Sequence, residues 1–362
     1  MIDLLPGMRE NVPLAPMTTI GIGGPARWFL EGASLDQVRA GIEWAGRAGV
    51  PLFLLGGGSN VLIADEGFDG LVLRNALRGI DTGREGDAVR LRVGAGEEWD
   101  RIAALACERG WAGFEALSGI PGSVGATPIQ NVGAYGQEVA ESVVEVEVLS
   151  VASGRVRSLS NAQCRFTYRD SMFKAEGRDE LVVLSVTYRL QPGGAAALRY
   201  PELRALVDER FGGAPTLAQV REAVLEIRRR KGMVLDPADA DTRSDGSFFM
   251  NPIISTEELH TFLRRAVDGE PSLRADRIPS WPTGEGRVKL SAAWLIEQAG
   301  FHKGYGAGAV GLSTKHTLAI VNRGGGKATD VLRLVAEIQR TVANRFGIAL
   351  RPEPNFIGFG GV

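Results

Sequence analysis

Pro51-Leu52-Phe53-Leu54-Leu55-Gly56-Gly57-Gly58-Ser59-Asn60 runs a short apolar stretch straight into three glycines. The apolar run is too short for a helix and ends at glycine, so it reads as a strand buried on both faces. The glycines accept positive φ and let peptide N–H groups approach an anion with no side chain in the way, which suggests a diphosphate cradle. No Gly-Lys-Ser/Thr follows, so this is not a Walker loop, and the segment does not open a helix as a Rossmann turn would. Taken alone it is equally an ordinary glycine turn. Upstream, Ser34 with Gln37 forms a capping box, Val38, Ile42 and Ala45 supply one helix face, and Gly49 stops the helix. Downstream, Val61-Leu62-Ile63 and Leu71-Val72-Leu73 resume strand character. Residues 34–75 therefore predict an α/β layer.

Residues 88–190 carry the two-residue alternation of a mixed sheet, as in Val144-Glu145-Val146-Glu147-Val148, around one helix near 99–109. Thr216 with Gln219 opens a helix that ends in Arg228-Arg229-Arg230-Lys231 before Gly232, and a domain boundary is expected close by. Beyond it the chain is loop-rich, with a helix at 291–299, a strand at 317–321 and a long helix from Thr329 whose face is Val331, Leu334, Val335, Ile338 and Val342.

A length of 362 residues suits two or three domains. With 41 basic and 43 acidic residues, a net charge of −2 gives no long-range attraction to nucleic acid or anionic membrane, so a phosphate-bearing ligand must be held by local cations. The N-terminal residues lack a cationic run followed by an apolar one, and no stretch is long enough to span a bilayer, so a cytoplasmic protein is expected. Cys107 and Cys164 read as small core residues, and three scattered histidines, His260, His302 and His316, argue against a metal site.

A second glycine-rich segment, Ile120-Pro121-Gly122-Ser123-Val124-Gly125-Ala126-Thr127-Pro128-Ile129-Gln130-Asn131-Val132-Gly133-Ala134-Tyr135-Gly136, is long and uncharged, a composition that lines a neutral flat ligand. Asp245-Gly246-Ser247-Phe248-Phe249-Met250-Asn251-Pro252 sets one hydroxyl between a glycine and two aromatics that call for burial, as at the border of a semi-enclosed pocket. Tyr168-Arg169-Asp170-Ser171 offers a guanidinium, and Arg351-Pro352-Glu353-Pro354 holds a carboxylate between stiff prolines. Each has a bland alternative as a surface ion pair or solvated linker. Gly21-Ile22-Gly23-Gly24-Pro25-Ala26 and Gly324-Gly325-Gly326-Lys327 mimic nucleotide loops but lack the flanking elements, so both read as turns.

Taken in order, LGGGSN, IPGSVGATPIQNVGAYG, YRDSMFK, GSFFMNP and PEPNFIG resemble the UDP-N-acetylenolpyruvoylglucosamine reductase (MurB) family across almost the whole chain. The resemblance implies an α+β fold: a vanillyl-alcohol-oxidase (PCMH)-type, two-subdomain FAD-binding domain and a C-terminal α/β substrate-binding domain. It places the first subdomain at 1–75, with 347–362 returning to it, the second at 76–228 and the substrate domain at 229–346. It implies noncovalent FAD, its diphosphate on Gly56, Gly57, Gly58, Ser59 and Asn60. Its isoalloxazine and ribityl would lie along Ile120, Pro121, Gly122, Ser123, Gly125, Gln130, Asn131, Gly133, Ala134 and Tyr135. The first histidine is His260, so a histidyl–flavin tether within the proposed flavin domain is excluded.

The family's reaction explains why an arginine, a serine and a glutamate are wanted together. Hydride from flavin N5 adds at C3 of an enolpyruvyl ether and drives charge through C2 onto a carboxylate. Arg169 matches the residue that receives this charge, Glu353 the glutamate beside the same group, and Ser247 the proton donor to C2. Lys231 matches a diphosphate contact, Tyr168, Asn251 and His316 further substrate contacts, and Tyr200 the tyrosine of a covering loop found in the type I subgroup. With six lysines beside thirty-five arginines, Lys231 is a scarce residue type in this chain. No Rossmann fingerprint is present for NADPH, so the resemblance implies that NADPH and the UDP-sugar share one cleft in turn. A monomer is expected. The alternative is an FAD-dependent sugar or alcohol oxidase of the same fold, and from another class a noncatalytic nucleotide-sugar or flavin-binding module.

Overall fold

The computed structural model describes residues 3–175, 177, 180–269 and 274–360. They form two compact units: the first takes in the N-terminal residues to Met17, Pro25–Gly58 and Gly67–Val234, and the second Thr18–Gly24, Ser59–Glu66 and the chain from Leu235 on.

Among the described residues the first unit contains two larger sheets and a two-stranded one, in which Gly133–Ala134 pairs with Gln137–Glu138. In the smaller of the two larger sheets, Arg9–Pro13 runs antiparallel to Pro25–Gly32, which lies parallel to Phe68–Asn75, itself parallel to Leu52–Leu55. Helix Leu35–Ala48 links two of these parallel strands, as a parallel sheet requires. The Ser34 hydroxyl accepts from Gln37 N, Gln37 Oε1 accepts from Ala33 N, and Gly49 ends the helix at φ 64°. Val38, Trp44 and Ala45 are the buried face.

The larger sheet is antiparallel, in the order Val156–Ser160, Val143–Ser150, Leu181–Pro192, Ala88–Gly94 and Ile80–Glu85. Its alternation sorts the side chains by face. Glu145 and Glu147 meet Arg90 and Arg92 at 2.7 Å on the open face, while Leu91, Val93, Val146, Val148, Val186 and Tyr188 are buried on the other. Helix Trp99–Glu108 covers that buried face. There Trp99, Phe114 and Tyr188 pack edge to face, with Trp99 Nε1 donating to Leu117 O and the Tyr188 hydroxyl bonded to Thr127 Oγ1, so that both polar ends of these rings are satisfied. Helices Pro201–Phe211 and Leu217–Arg230 pack on each other and on residues 115–117, and Arg221 grips the Asp100 carboxylate with two bonds.

The second unit is built around Phe248, Phe249, Phe262, Leu295, Val331, Ile338 and Phe346, all buried. Ser244–Ser247, Ala319–Asn322 and Val310–Leu312 form one antiparallel sheet. Ile253–Ser255, Arg287–Leu290 and Ser280–Gly284 form another. Asn355–Ile357 pairs in parallel with Val61–Ile63. The helix Ala328–Phe346 buries the five residues expected of its face. Its first amides are capped by a carboxylate distant in sequence: Ala328 N and Thr329 N donate to Asp65 at 2.7 and 3.1 Å. Burial opposes ionisation of Asp65, but these amides and the Thr329 hydroxyl outweigh it and hold the carboxyl below its ordinary value. Asp65→Ala is expected to cost about 1 kcal/mol in urea denaturation at neutral pH. Because the folded pKa is depressed, the difference should persist above about pH 4 and fade as the pH drops below it.

Candidate active site

Within the first unit the two glycine-rich segments are in contact. A Cβ on Gly57 would stand 2.5 Å from Gly122 Cα and 2.8 Å from Ser123 N, and one on Gly56 would stand 2.8 Å from Ser123 Oγ. Only hydrogen fits at Gly57, so the two backbones touch. The far side of the second segment is just as close, with Gly125 against Ala95 and Gly125 N bonded to Ala95 O at 2.8 Å. These contacts make a cradle of bare backbone, the surface a diphosphate or a planar ring system requires. Ser59 and Asn60 fall in the second unit, where Asn60 Nδ2 donates to Glu353 O and Asn60 O accepts from Asn355 N.

Arg169 lies on the second glycine-rich segment. Its Nη2 donates to Gly133 O at 2.7 Å, Lys174 Nζ donates to its carbonyl at 3.0 Å, and the guanidinium carbon is 5.8 Å from the centre of the Tyr168 ring. Arg169 takes φ 55°, Asn131 46° and Tyr135 50°, so three of the six non-glycine residues in the left-handed region among the described residues gather here. Such backbone persists only where surrounding contacts hold it, and it concentrates at ligand sites. Asn131 supplies much of that hold. Its amide donates to Glu138 Oε2 at 2.7 Å and Thr167 O at 3.0 Å and accepts from Ala140 N, tying the segment to the turn that presents Tyr168 and Arg169.

The residues expected at the UDP end also meet in this unit. The Tyr135 and Tyr200 rings pack edge to face at 5.5 Å, and Lys231 Nζ sits 5.9 Å from the Tyr135 centroid while pairing with Glu202 at 2.7 Å. Burial pushes the Tyr135 phenol up to about 12, against the opposing pull of the Arg228 guanidinium. Arg228 is a residue that sequence reasoning left inside a basic run. It is buried, its Nη2 donates to Met233 O at 2.8 Å, its Nε has no partner among the described residues, and burial lowers its pKa. Its place inside the molecule could be anticipated only from its position on the buried face of helix Leu217–Arg230.

In the second unit Ser247 ends a bulged strand. Ser244 pairs with Val321 and Ser247 with Ala319, so one residue more lies on this side than on its partner, and Gly246 takes φ 74° there. An extra residue with glycine in the left-handed region bends the strand and re-aims the side chain that follows. Phe248 and Phe249 are buried as expected. Glu353 N donates to Phe248 O and Met250 N to Arg351 O, bringing the proline-flanked glutamate beside the serine strand. Asn251 Oδ1 accepts from Ala292 N at 2.9 Å, and His316 sits in the turn before Ala319, its N–H donating to Ser313 Oγ. Among the described residues no cluster of three or more His, Cys, Asp or Glu side chains could hold a metal, and no helix is long and apolar enough to cross a membrane.

Asp245 is the unusual member of this strand. It is buried, its Oδ1 accepts from the Thr19 hydroxyl at 3.3 Å, and its Oδ2 has no hydrogen-bond partner among the described residues. Burial raises its carboxyl well above the ordinary value, with the Thr19 bond opposing. Below about pH 4 folded and unfolded chains both keep the proton, whereas at higher pH only the unfolded chain ionises freely, so the acid costs stability as the pH rises. Asp245→Asn should therefore raise the melting temperature at neutral pH, with the gain shrinking to nothing near pH 4. A gain that does not vary with pH would contradict a buried neutral acid.

The comparisons with known proteins bear on both units. The family model for the UDP-N-acetylenolpyruvoylglucosamine reductase C-terminal domain matches residues 236–357, and that for an FAD binding domain matches residues 26–160. The UDP-N-acetylenolpyruvoylglucosamine reductase of Thermobifida fusca is 52% identical over 352 residues, covering 96% of this chain and 98% of its own. The one from Streptomyces coelicolor is 48% identical, covering 96% and 90%. The crystal structure of the Thermus caldophilus enzyme (MurB) superposes with a TM-score of 0.65 at 26% identity, covering 97% of this chain and 99% of that one. With identity above half over nearly the full length of both chains, this chain belongs to the UDP-N-acetylenolpyruvoylglucosamine reductase family.

Proposed function

We propose that the chain is an FAD-dependent reductase that uses NADPH to convert UDP-N-acetyl-3-O-(1-carboxyvinyl)-glucosamine to UDP-N-acetylmuramate in peptidoglycan precursor synthesis. The observation that carries this reading is the bond from Arg169 to Gly133 O, which sets a guanidinium on the same loop whose glycines pack against Gly56 and Gly57. The bare-backbone cradle fits FAD, with Gly56, Gly57 and Gly58 for its diphosphate and the 120–136 segment for its rings; FAD when bound supplies hydride to C3 of the substrate.

The remaining work falls to side chains. Arg169 receives the charge that develops on the substrate carboxylate, where a planar guanidinium can bond both oxygens. Glu353 shares a proton with the same group as it takes on enol character. Ser247 gives its hydroxyl proton to C2, and the resulting alkoxide regains a proton from solvent. A positioned donor of this kind contributes about 10²–10⁴-fold in rate. Lys231, Tyr200, Tyr168, Asn251 and His316 hold the UDP-sugar, with Tyr200 assigning the chain to the type I subgroup. NADPH and UDP-sugar occupy one cleft alternately, the protein acts as a cytoplasmic monomer, and the subdomains divide at 75, 228 and 346.

Ser247→Ala should retain FAD and take up hydride from NADPH at close to the normal rate, yet fail to pass it to the enolpyruvyl substrate. Stopped-flow absorbance of the two half-reactions separates these, and equal loss of both would refute the assigned role. Gly57→Ala should leave a folded protein that purifies with little flavin, because the added methyl overlaps the Gly122 backbone. Full flavin content in that variant would show that the two loops need not touch to hold the cofactor.

A further inference from the structure

The segment that carries Tyr200 is tied down from several sides within the first unit. Ala197 N donates to Glu115 Oε1 at 2.8 Å, and Glu115 is itself buried, with its carboxylate also taking Gly113 N and Gln137 Nε2. Arg199 grips Glu141 with both guanidinium ends, Nη1 to Oε1 at 2.7 Å and Nη2 to Oε2 at 2.9 Å, and Nη1 also donates to Gly136 O at 2.9 Å. Gly136 takes φ 82°, and a Cβ there would stand 2.9 Å from Arg199 Cβ, so the Tyr200 segment lies directly on the end of the 120–136 loop. Tyr200 then meets Tyr135 at 5.5 Å, and Pro201 opens the helix whose Glu202 holds Lys231.

We propose that Arg199 is a positioning residue for nucleotide binding: its grip on Glu141 and the Gly136 carbonyl presets Tyr200 and, through the helix that follows, Lys231, so the covering segment is in place before the diphosphate arrives. The physical basis is the geometry of guanidinium pairing. A two-pronged bond to a carboxylate fixes direction as well as distance, which a lysine ammonium cannot do. Both partners are partly exposed, so the pair adds little to global stability. Its effect is to remove the ordering cost that a loose segment would meet on binding.

The inference rests on the reading of Tyr200 and Lys231 as nucleotide contacts, and the test separates the two. Hydrogen exchange of the holoenzyme should show the amides of Ala197 to Tyr200 already slow, changing by less than about twofold when UDP is added. In Arg199→Met the same amides should exchange about tenfold faster and be slowed again by UDP. UDP affinity should fall about 3- to 10-fold, KM for the sugar nucleotide should rise in step while kcat changes little, and Arg199→Lys should restore only part of the loss. Glu141→Gln should reproduce the exchange effect. Fast exchange in the unaltered protein that UDP slows, or an Arg199→Met variant that exchanges as the parent does, would overturn the proposal. If instead Tyr200→Phe and Lys231→Ala both bind UDP normally, the reading of those two residues as nucleotide contacts falls, whatever the exchange shows.

Discussion

The first unit depends on a place where two stretches of backbone touch with no side chain between them. At Gly57 the neighbouring chain is so close that a methyl group would overlap Gly122 Cα, and the same loop is clamped on its other side by Gly125 against Ala95. From this contact the rest of the site follows as a series of short bonds. The anchored segment runs to Asn131, whose amide reaches Thr167 O, and Gly133 O takes a guanidinium nitrogen of Arg169. A residue with φ 55° and a long flexible side chain acquires a fixed place because both its backbone and its tip are bonded to neighbours.

Charge is arranged locally, in a chain whose 41 basic and 43 acidic residues leave almost no net charge. Arg221 pairs with Asp100, Lys231 with Glu202 and Arg199 with Glu141, so each of these three cations faces a carboxylate. Arg228 is buried beside the Tyr135 phenol, and its pKa falls because desolvation disfavours its charge. A guanidinium held in that state keeps a strong field with little water to screen it, which favours an anion nearby. The phenol, pushed the other way by burial, stays protonated at working pH and remains a hydrogen-bond donor.

The second unit contains a strand, Ser244–Ser247, whose bulge adds a residue on one side of the ladder, and the buried aromatic pair after Ser247 anchors it. Asp245 within the bulge carries a desolvation cost that no partner offsets fully, a feature often found where a strand is shaped for function rather than stability. The capping of helix Ala328–Phe346 by Asp65 shows the same unit using a residue from a distant loop to satisfy amides that local sequence leaves open.

Elements whose signals are local were legible in the chain itself. Ser34, Thr216, Gly49 and the periodic faces of the helices are short-range chemistry, and they mark the ends of Leu35–Ala48 and Leu217–Arg230 and the start of Ala328–Phe346 to within a residue or two. Helices Pro201–Phe211 and Thr256–Gly269 were not anticipated; the first lacks a capping side chain at Tyr200 and is defined by packing on Leu217–Arg230. The motifs also singled out candidate site residues, since glycine loops and a serine before two aromatics are written in residue type. Spacing along the chain could not say that Gly57 touches Gly122, that Arg199 holds Glu141, that Arg228 lies inside the molecule, or that Asp65 caps a helix 263 residues away. Those are long-range contacts between segments with no local signature, set only when the sheets and helices pack.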